Sequence, residues 1–286
     1  MPEIHAAGYS PTIKKRALSR KLLAARKEIG LTTTDVCKQL RWSPSKLNYI
    51  EKAKWIEPSS DAVTDLCEVY GIEGDERDAL IRLTREARQR GWWSKYNDVF
   101  DNEFPGFEAA ASSVDTFQHT FLPGLLQIAG YIEVVTIAAG IEDPAEVKRH
   151  VAARLERQKI LTQVDGASRL RAVIDENVIA RVRQLPVGEA QLRHLLDMAT
   201  RPNVELQVIR TGIGPYRGAG EAFTCLGFAD PGERDIVFLE TTIDNRLLEE
   251  KDELRAYRER FAQLCTIALA PGATKAYLAQ QLEITG

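Results

Sequence analysis

Residues 31–52 read LTTTDVCKQLRWSPSKLNYIEK. That stretch encodes two short helices with a tight break between them. Thr32 stands where a helix N-cap belongs, and Asp35 follows three residues later. The threonine oxygen accepts a first-turn N–H, and the carboxylate favours the positive end of the helix. Val36, Cys37 and Leu40 supply the inner face. The helix breaks at Arg41-Trp42. Ser43-Pro44 restarts it, with serine as cap and proline at the first helical position, where no N–H is needed. Leu47 and Ile50 give the second helix its inner side. A braced pair of this kind is the geometry of helix-turn-helix DNA recognition. The first helix lies across the backbone, and the leading residues of the second reach base edges in the major groove. The side chains left outside are Ser45, Lys46, Asn48 and Tyr49, with Thr33 and Ser43 at the leading ends of the two helices. These six are the candidate base contacts. Serine and lysine donate to base acceptors, and asparagine pairs with adenine in a bidentate way.

Helix pairs of this length also occur in bundles that never meet DNA, so the surrounding charge matters. Residues 1–54 hold 12 Lys and Arg against 4 Asp and Glu, a net +8; the remaining 232 residues hold 26 against 37, a net −11. A basic head on an acidic body is the electrostatic footprint of a nucleic-acid binder. The alternative is a solvated basic helix face. Lys14, Lys15, Arg16, Arg20, Lys38, Arg41, Lys52 and Lys54 are the candidate phosphate contacts, which would make affinity salt-dependent.

Further helices frame the pair. Leu18, Leu22, Ala25 and Ile29 share one helix face, and Gly30 ends it. Pro58-Ser59-Ser60-Asp61 starts another, with Val63, Leu66, Cys67 and Tyr70 inward and Gly71 at its end. The last runs over 75–90, with Leu80, Leu83 and Ala87 inward. The expectation is an all-α, five-helix head over residues 1–90.

Residues 91–286 have a different texture. Trp92, Trp93, Tyr96, Phe100, Phe104 and Phe107 make an aromatic, turn-rich entry. Helical stretches are expected over 108–119, 125–139, 144–161, 188–199, 247–270 and 272–283. Strands are expected at 170–174, 204–209, 223–228 and 236–239, with Pro231-Gly232 turning a hairpin between the last two. This is an α+β domain, so the fold class is multi-domain. A chain of 286 residues, 44% hydrophobic and 28% charged, is long enough for two globular cores. It has no apolar run of about 18 residues, as a transmembrane helix would need. The charged N-terminal stretch has no apolar segment behind it, against a secretory signal peptide. A cytoplasmic, nucleoid-associated protein with no membrane partner is expected. Cys37, Cys67, Cys225 and Cys265 are scattered and read as small hydrophobes rather than a disulfide frame or zinc site.

The sequence resembles a family at this point. Residues 18–70 are similar to the xenobiotic-response-element type of helix-turn-helix domain, of the phage-repressor class. The matching positions are Leu22, Arg26, Gly30-Leu31-Thr32, Val36, Leu40, Ser43-Pro44-Ser45-Lys46, Ile50-Glu51, Pro58, Leu66 and Tyr70-Gly71. Two positions depart from the pattern: Ala53 stands where the family has glycine, and Thr33 where it often has glutamine. The rest resembles actinobacterial regulators that carry this head on a C-terminal domain of unknown function and are often labelled toxin–antitoxin-like. Gly91-Trp92-Trp93, Pro123-Gly124-Leu125-Leu126-Gln127 with Tyr131, Arg154, Arg157-Gln158, Glu176, Pro202-Asn203-Val204 and Phe238-Leu239-Glu240 carry that resemblance. It implies an intracellular transcription factor on double-stranded DNA, with a small protein encoded next door as a further partner. The two-fold symmetry of operators implies a homodimer.

Candidate effector or partner residues in the second domain are Arg154, Arg157, Gln158, Glu176, Tyr216, Arg217 and Glu240. The arginines, with His150, share a helix face suited to an anion or a partner carboxylate; salt bridges to Glu176 or Glu240 are the alternative. Gly212, Gly214, Gly218 and Gly220 make a flexible loop that lacks the strand–GxGxxG–helix context of a dinucleotide site. Glu176 and Glu240, each ending an expected strand, would be the pair for a two-carboxylate enzyme. Without a nucleophile or a metal cluster beside them, no catalytic residue, metal or cofactor is expected. The competing readings are an enzyme or toxin module with an autoregulatory head, and an antitoxin-like module that binds a small protein.

Overall fold

The computed structural model describes residues 10–55, 57–100, 102–163, 166–240 and 245–283. The chain divides into two compact units, the first ending at Lys95 and the second beginning at Tyr96.

The first unit is helical: α1 Pro11–Glu28, α2 Thr33–Leu40, α3 Pro44–Glu51, α4 Ser60–Tyr70 and α5 Gly74–Ala87. Its helix ends follow from local chemistry. Gly30 and Gly71 take the left-handed conformation after α1 and α4, at φ 72° and 69°. There the Leu31 N–H donates back to the Arg26 carbonyl and the Ile72 N–H to that of Cys67, at 3.2 and 2.9 Å. Glycine meets such positions without a Cβ penalty. The Ser59 side chain caps α4 by accepting from the Ala62 N–H. Leu18, Leu22, Val36, Leu47, Ile50, Val63, Leu66 and Leu80 form one buried core, so α2 and α3 are pinned from inside by their apolar faces.

The second unit is built on one mixed sheet. In chain order it contains α6 Phe104–Glu108, β1 Ser113–Gln118, α7 Ala129–Ala138, α8 Pro144–Gln158, β2 Arg169–Asp175, α9 Glu176–Arg183, α10 Gly188–Met198, β3 Val204–Ile209, β4 Phe223–Gly227, β5 Ile236–Glu240, β6 Asn245–Leu248, α11 Lys251–Ile267 and α12 Pro271–Glu283. The strand order is β3-β2-β1-β4-β5-β6. β1, β2 and β3 are parallel, with Val114 opposite Leu170 and Leu170 opposite Val204; the other three strands continue antiparallel from β1. Phe117, Val173, Ile209, Phe223, Val237 and Leu239 pack with Phe261 and Leu264 of α11.

Three expectations need correction. The helix expected over 108–119 ends at Glu108, and residues 113–118 are the central strand β1. The helix expected from 247 begins at Lys251, because 245–248 is the edge strand β6. Glu176 does not end a strand. It opens α9, with the Asp175 carboxylate capping that helix by accepting from the Asn177 N–H at 2.9 Å.

Candidate nucleic-acid interface

α2 starts in a reciprocal cap. The Thr32 hydroxyl accepts from the Asp35 N–H at 3.2 Å, and the Asp35 carboxylate accepts from the Thr32 N–H at 2.9 Å. The hydrogen bonds from Thr32 hold the Asp35 carboxyl below its usual range. α2 ends at Arg41, which sits in the left-handed region at φ 55°. The Ser43 hydroxyl accepts from the Lys46 N–H at 3.3 Å, and Pro44 takes the first helical position. Leu47 and Ile50 are buried.

With those two positions and the Glu51 side chain inside, the other residues of α3 face outward. Ser43, Ser45, Lys46, Asn48 and Tyr49 are exposed, Tyr49 by 55%. Thr33 is half-buried at the start of α2. The Lys46 ammonium lies 3.5 Å from the centre of the Trp42 ring, so this lysine is parked on an aromatic face one turn back. Lys38, Arg41, Lys52 and Lys54 are exposed around the pair. Lys14, Lys15, Arg16 and Arg20 are half-buried on α1, where Lys14 bridges to Glu86 at 3.0 Å.

Sequence reasoning gave no role to the residue pair that fixes the tilt of α3. The Arg26 guanidinium on α1 grips the Glu51 carboxylate at the end of α3 through two bonds, 2.5 and 2.8 Å, and donates a third to the Leu31 carbonyl at 2.7 Å. Both side chains are nearly buried, at 11% and 7% exposure. Arg26 falls on the inner face with Leu18 and Leu22, whereas Ile29, expected on that face, is exposed; a cation at such a position signals a buried acid elsewhere.

The second-unit candidates separate into two groups. Glu176 accepts from the Thr211 N–H at 2.7 Å and from Arg210 at 2.9 Å. Burial pushes its carboxyl up, but these bonds, with one from Thr211 Oγ1 and one from Tyr277, outweigh that and hold it below the ordinary value. The Tyr216 hydroxyl donates to Asp175 at 2.6 Å, and Arg217 is exposed beside it. These contacts pin the glycine-rich loop to the ends of β2 and β3. The other group gathers on α8. Arg157 is locked on Glu108 by bonds of 2.7 and 2.9 Å, over the rings of Phe100 and Phe104. Gln158 donates to the carbonyls of Gly124 and Gln127. Arg154 and the exposed Glu240 lie in this neighbourhood. The bridges from Arg154 or Arg157 to Glu176 or Glu240 weighed from the sequence are not formed among the described residues; the acid that holds Arg157 is Glu108, and the arginine on Glu176 is Arg210.

Comparison with known families fits this division. Residues 17–80 match a family described as a helix-turn-helix domain. Residues 102–280, more than half of the chain, match a domain of unknown function, DUF5753. The chain belongs to the DUF5753 family. No curated protein and no solved structure matches it. The head therefore carries a helix-turn-helix domain, which suggests a DNA-binding regulator, and the DUF5753 domain supplies the mixed sheet.

Within the DUF5753 domain, strand directions put the ends of β2 and β5 on one edge of the sheet, with β1 and β4 between them. Three strand spacings of about 4.8 Å put the backbones at these strand ends roughly 14 Å apart. Among the described residues no group of three His, Cys, Asp or Glu is placed to hold a metal ion, and no helix is long and apolar enough to cross a membrane.

Proposed function

We propose that this chain is a sequence-specific transcriptional regulator of the xenobiotic-response-element type, of the kind found in actinobacteria, working on nucleoid DNA in the cytoplasm. It acts as a homodimer on a two-fold operator. Its DUF5753 domain dimerises and receives a small effector or a small protein encoded next door, in the manner of toxin–antitoxin-like regulators. It is a receiver rather than an enzyme. The observation that carries this reading is the outward row Ser45, Lys46, Asn48 and Tyr49 on a helix capped at Ser43 and anchored through Leu47, Ile50 and Glu51. The row has the position of a recognition helix, and the basic residues around it meet phosphates.

A gel-shift titration with the DNA upstream of its own gene tests the reading. Lys46→Ala with Asn48→Ala is expected to weaken specific binding by about 2 to 4 kcal/mol while weak non-specific binding persists. Affinity of the wild type is expected to fall steeply with salt. Unchanged affinity and unchanged sequence preference in the double variant would remove α3 from the recognition role.

A further inference from the structure

Guanidinium groups buried in this protein are generally held by acids. Arg26 has Glu51, Arg157 has Glu108 and Arg171 has Asp115, each through two bonds. Arg154 is different. It is half-buried on α8, yet makes no hydrogen bond and no ion pair among the described residues. Its charged neighbours are Arg157, which repels it, and Glu240, which attracts it without closing to an ion pair. Burial and Arg157 both press this guanidinium below its ordinary pKa. A desolvated cation without a partner costs several kcal/mol. Such a site is relieved by whatever brings oxygen acceptors to it.

The surroundings define what fits. His150, Arg154 and Arg157 stand at i, i+4 and i+7 on α8, and so share one face. Arg157 is fully committed to Glu108, with Phe100 and Phe104 against it at 5.9 and 5.4 Å. His150 is pushed down by burial and by Arg154, while Asp98 and Glu146 pull it up; the net shift is downward. Asp98 itself is held by Arg149, whose guanidinium stacks on Tyr96 at 5.2 Å. The stripe therefore offers one uncommitted planar fork of N–H donors, a neutral imidazole one turn before it, and aromatic rings alongside. A guanidinium fork matches two oxygens of one oxoanion.

We propose that Arg154 anchors an oxoanion-binding site for a small molecule bearing a carboxylate or phosphate group, flanked by His150 and Arg157, with Glu240 as the acid that the ligand displaces. An anion seated on Arg154 cancels the charge that opposes protonation of His150, so binding takes up protons and strengthens as pH falls.

The test is calorimetric titration of the full chain, in a low-chloride buffer, with sodium benzoate and separately with inorganic phosphate. At least one of the two is expected to bind, and which one binds assigns the ligand group. Arg154→Gln is expected to weaken that binding at least about tenfold, Arg154→Lys to restore part of it, and Glu240→Gln to tighten it. Denaturant unfolding without ligand separates a ligand site from a structural role. Arg154→Gln should leave stability unchanged or raise it, because it removes an unpaired charge, whereas Arg157→Gln should lower it. The assignment is overturned if Arg154→Gln destabilises the protein as Arg157→Gln does, if it binds the anions as the wild type does, or if neither anion binds the wild type or Glu240→Gln at millimolar concentration. The titration contains no DNA, so failure of this site and failure of the regulator reading are recorded separately.

Discussion

Arg26 and Arg157 form pairs of one geometry in two units of different build. In the helical unit, Arg26 reaches Glu51 across 25 residues and joins α1 to the end of α3. In the DUF5753 domain, Arg157 reaches Glu108 across 49 residues and ties α8 to the five-residue α6, beside Phe104, which stacks on Phe238 of β5 at 4.1 Å. The first pair acts outward. The opposite side of α3 is the exposed row, so the tilt of that row depends on Glu51 being held. The second pair acts inward, satisfying charges around which an aromatic cluster has packed. The same chemistry orients a surface in one unit and closes a core in the other.

Breaking the outward pair is expected to have the largest effect. Arg26→Ala leaves Glu51 desolvated and alone, which costs about 3 to 5 kcal/mol. Urea unfolding followed through Trp55, buried in the head core, measures it, and specific DNA binding should vanish with the fixed tilt of α3. Arg26→Met with Glu51→Leu should recover most of the stability but not the full affinity. A loss under about 1 kcal/mol in the single variant would mean that packing, not the pair, holds α3.

Arg157→Ala is expected to cost a comparable amount, about 3 kcal/mol, because it leaves the Glu108 carboxylate, 4% exposed, without its partner. Circular dichroism follows it through the loss of the sheet. Folded variant should keep the operator preference of the wild type. If preference changed as it does for Arg26→Ala, the division into an outward and an inward pair would fail. Thr32→Ala comes next. It removes one half of the reciprocal cap and is expected to cost about 1 kcal/mol by thermal unfolding, with weaker but still specific DNA binding.

The same two units explain what could be read in advance. The head announces its helix ends locally: Thr32 with Asp35, Ser43 with Pro44, Ser59, Gly30 and Gly71 each act within four or five residues of where they stand. In the DUF5753 domain the decisive partners are distant. β1 carries Asp115, Thr116 and Gln118, polar residues that look wrong for a central strand. They are satisfied by Arg171 on β2 and by Thr224 on β4, and by Thr116 itself. Without those partners in view, residues 113–118 do not read as a central strand. β6 is a four-residue edge strand, and an edge strand needs little apolar pattern, so residues 247 and 248 read as the start of the helix after it. The stripe of His150, Arg154 and Arg157 was legible from its spacing. That Arg157 is committed to Glu108 and Arg154 is not was invisible, because Glu108 lies 49 residues upstream.

The smallest effects come from two residues in left-handed backbone at the ends of α2 and α3. After α3, the Lys54 N–H donates to the Tyr49 carbonyl at 2.9 Å and the Ala53 N–H to that of Ile50 at 3.1 Å. That pattern places Ala53 in the left-handed turn, at φ 54°. A Cβ there costs about 1 kcal/mol against glycine, partly offset by the greater freedom of glycine in the unfolded chain. Ala53→Gly should therefore raise head stability by about 0.5 kcal/mol and leave DNA affinity and its salt dependence unchanged. Arg41, at φ 55° after α2, poses the same backbone problem with a charge attached. Arg41→Gly should stabilise the head by a similar amount while reducing the slope of log affinity against log salt by about 1, the signature of one lost phosphate contact. If both glycine variants lower stability, the left-handed turns are held by their side chains rather than tolerated despite them. If Arg41→Gly leaves the salt slope intact, Arg41 is a helix terminator and the phosphate contacts lie elsewhere on the head.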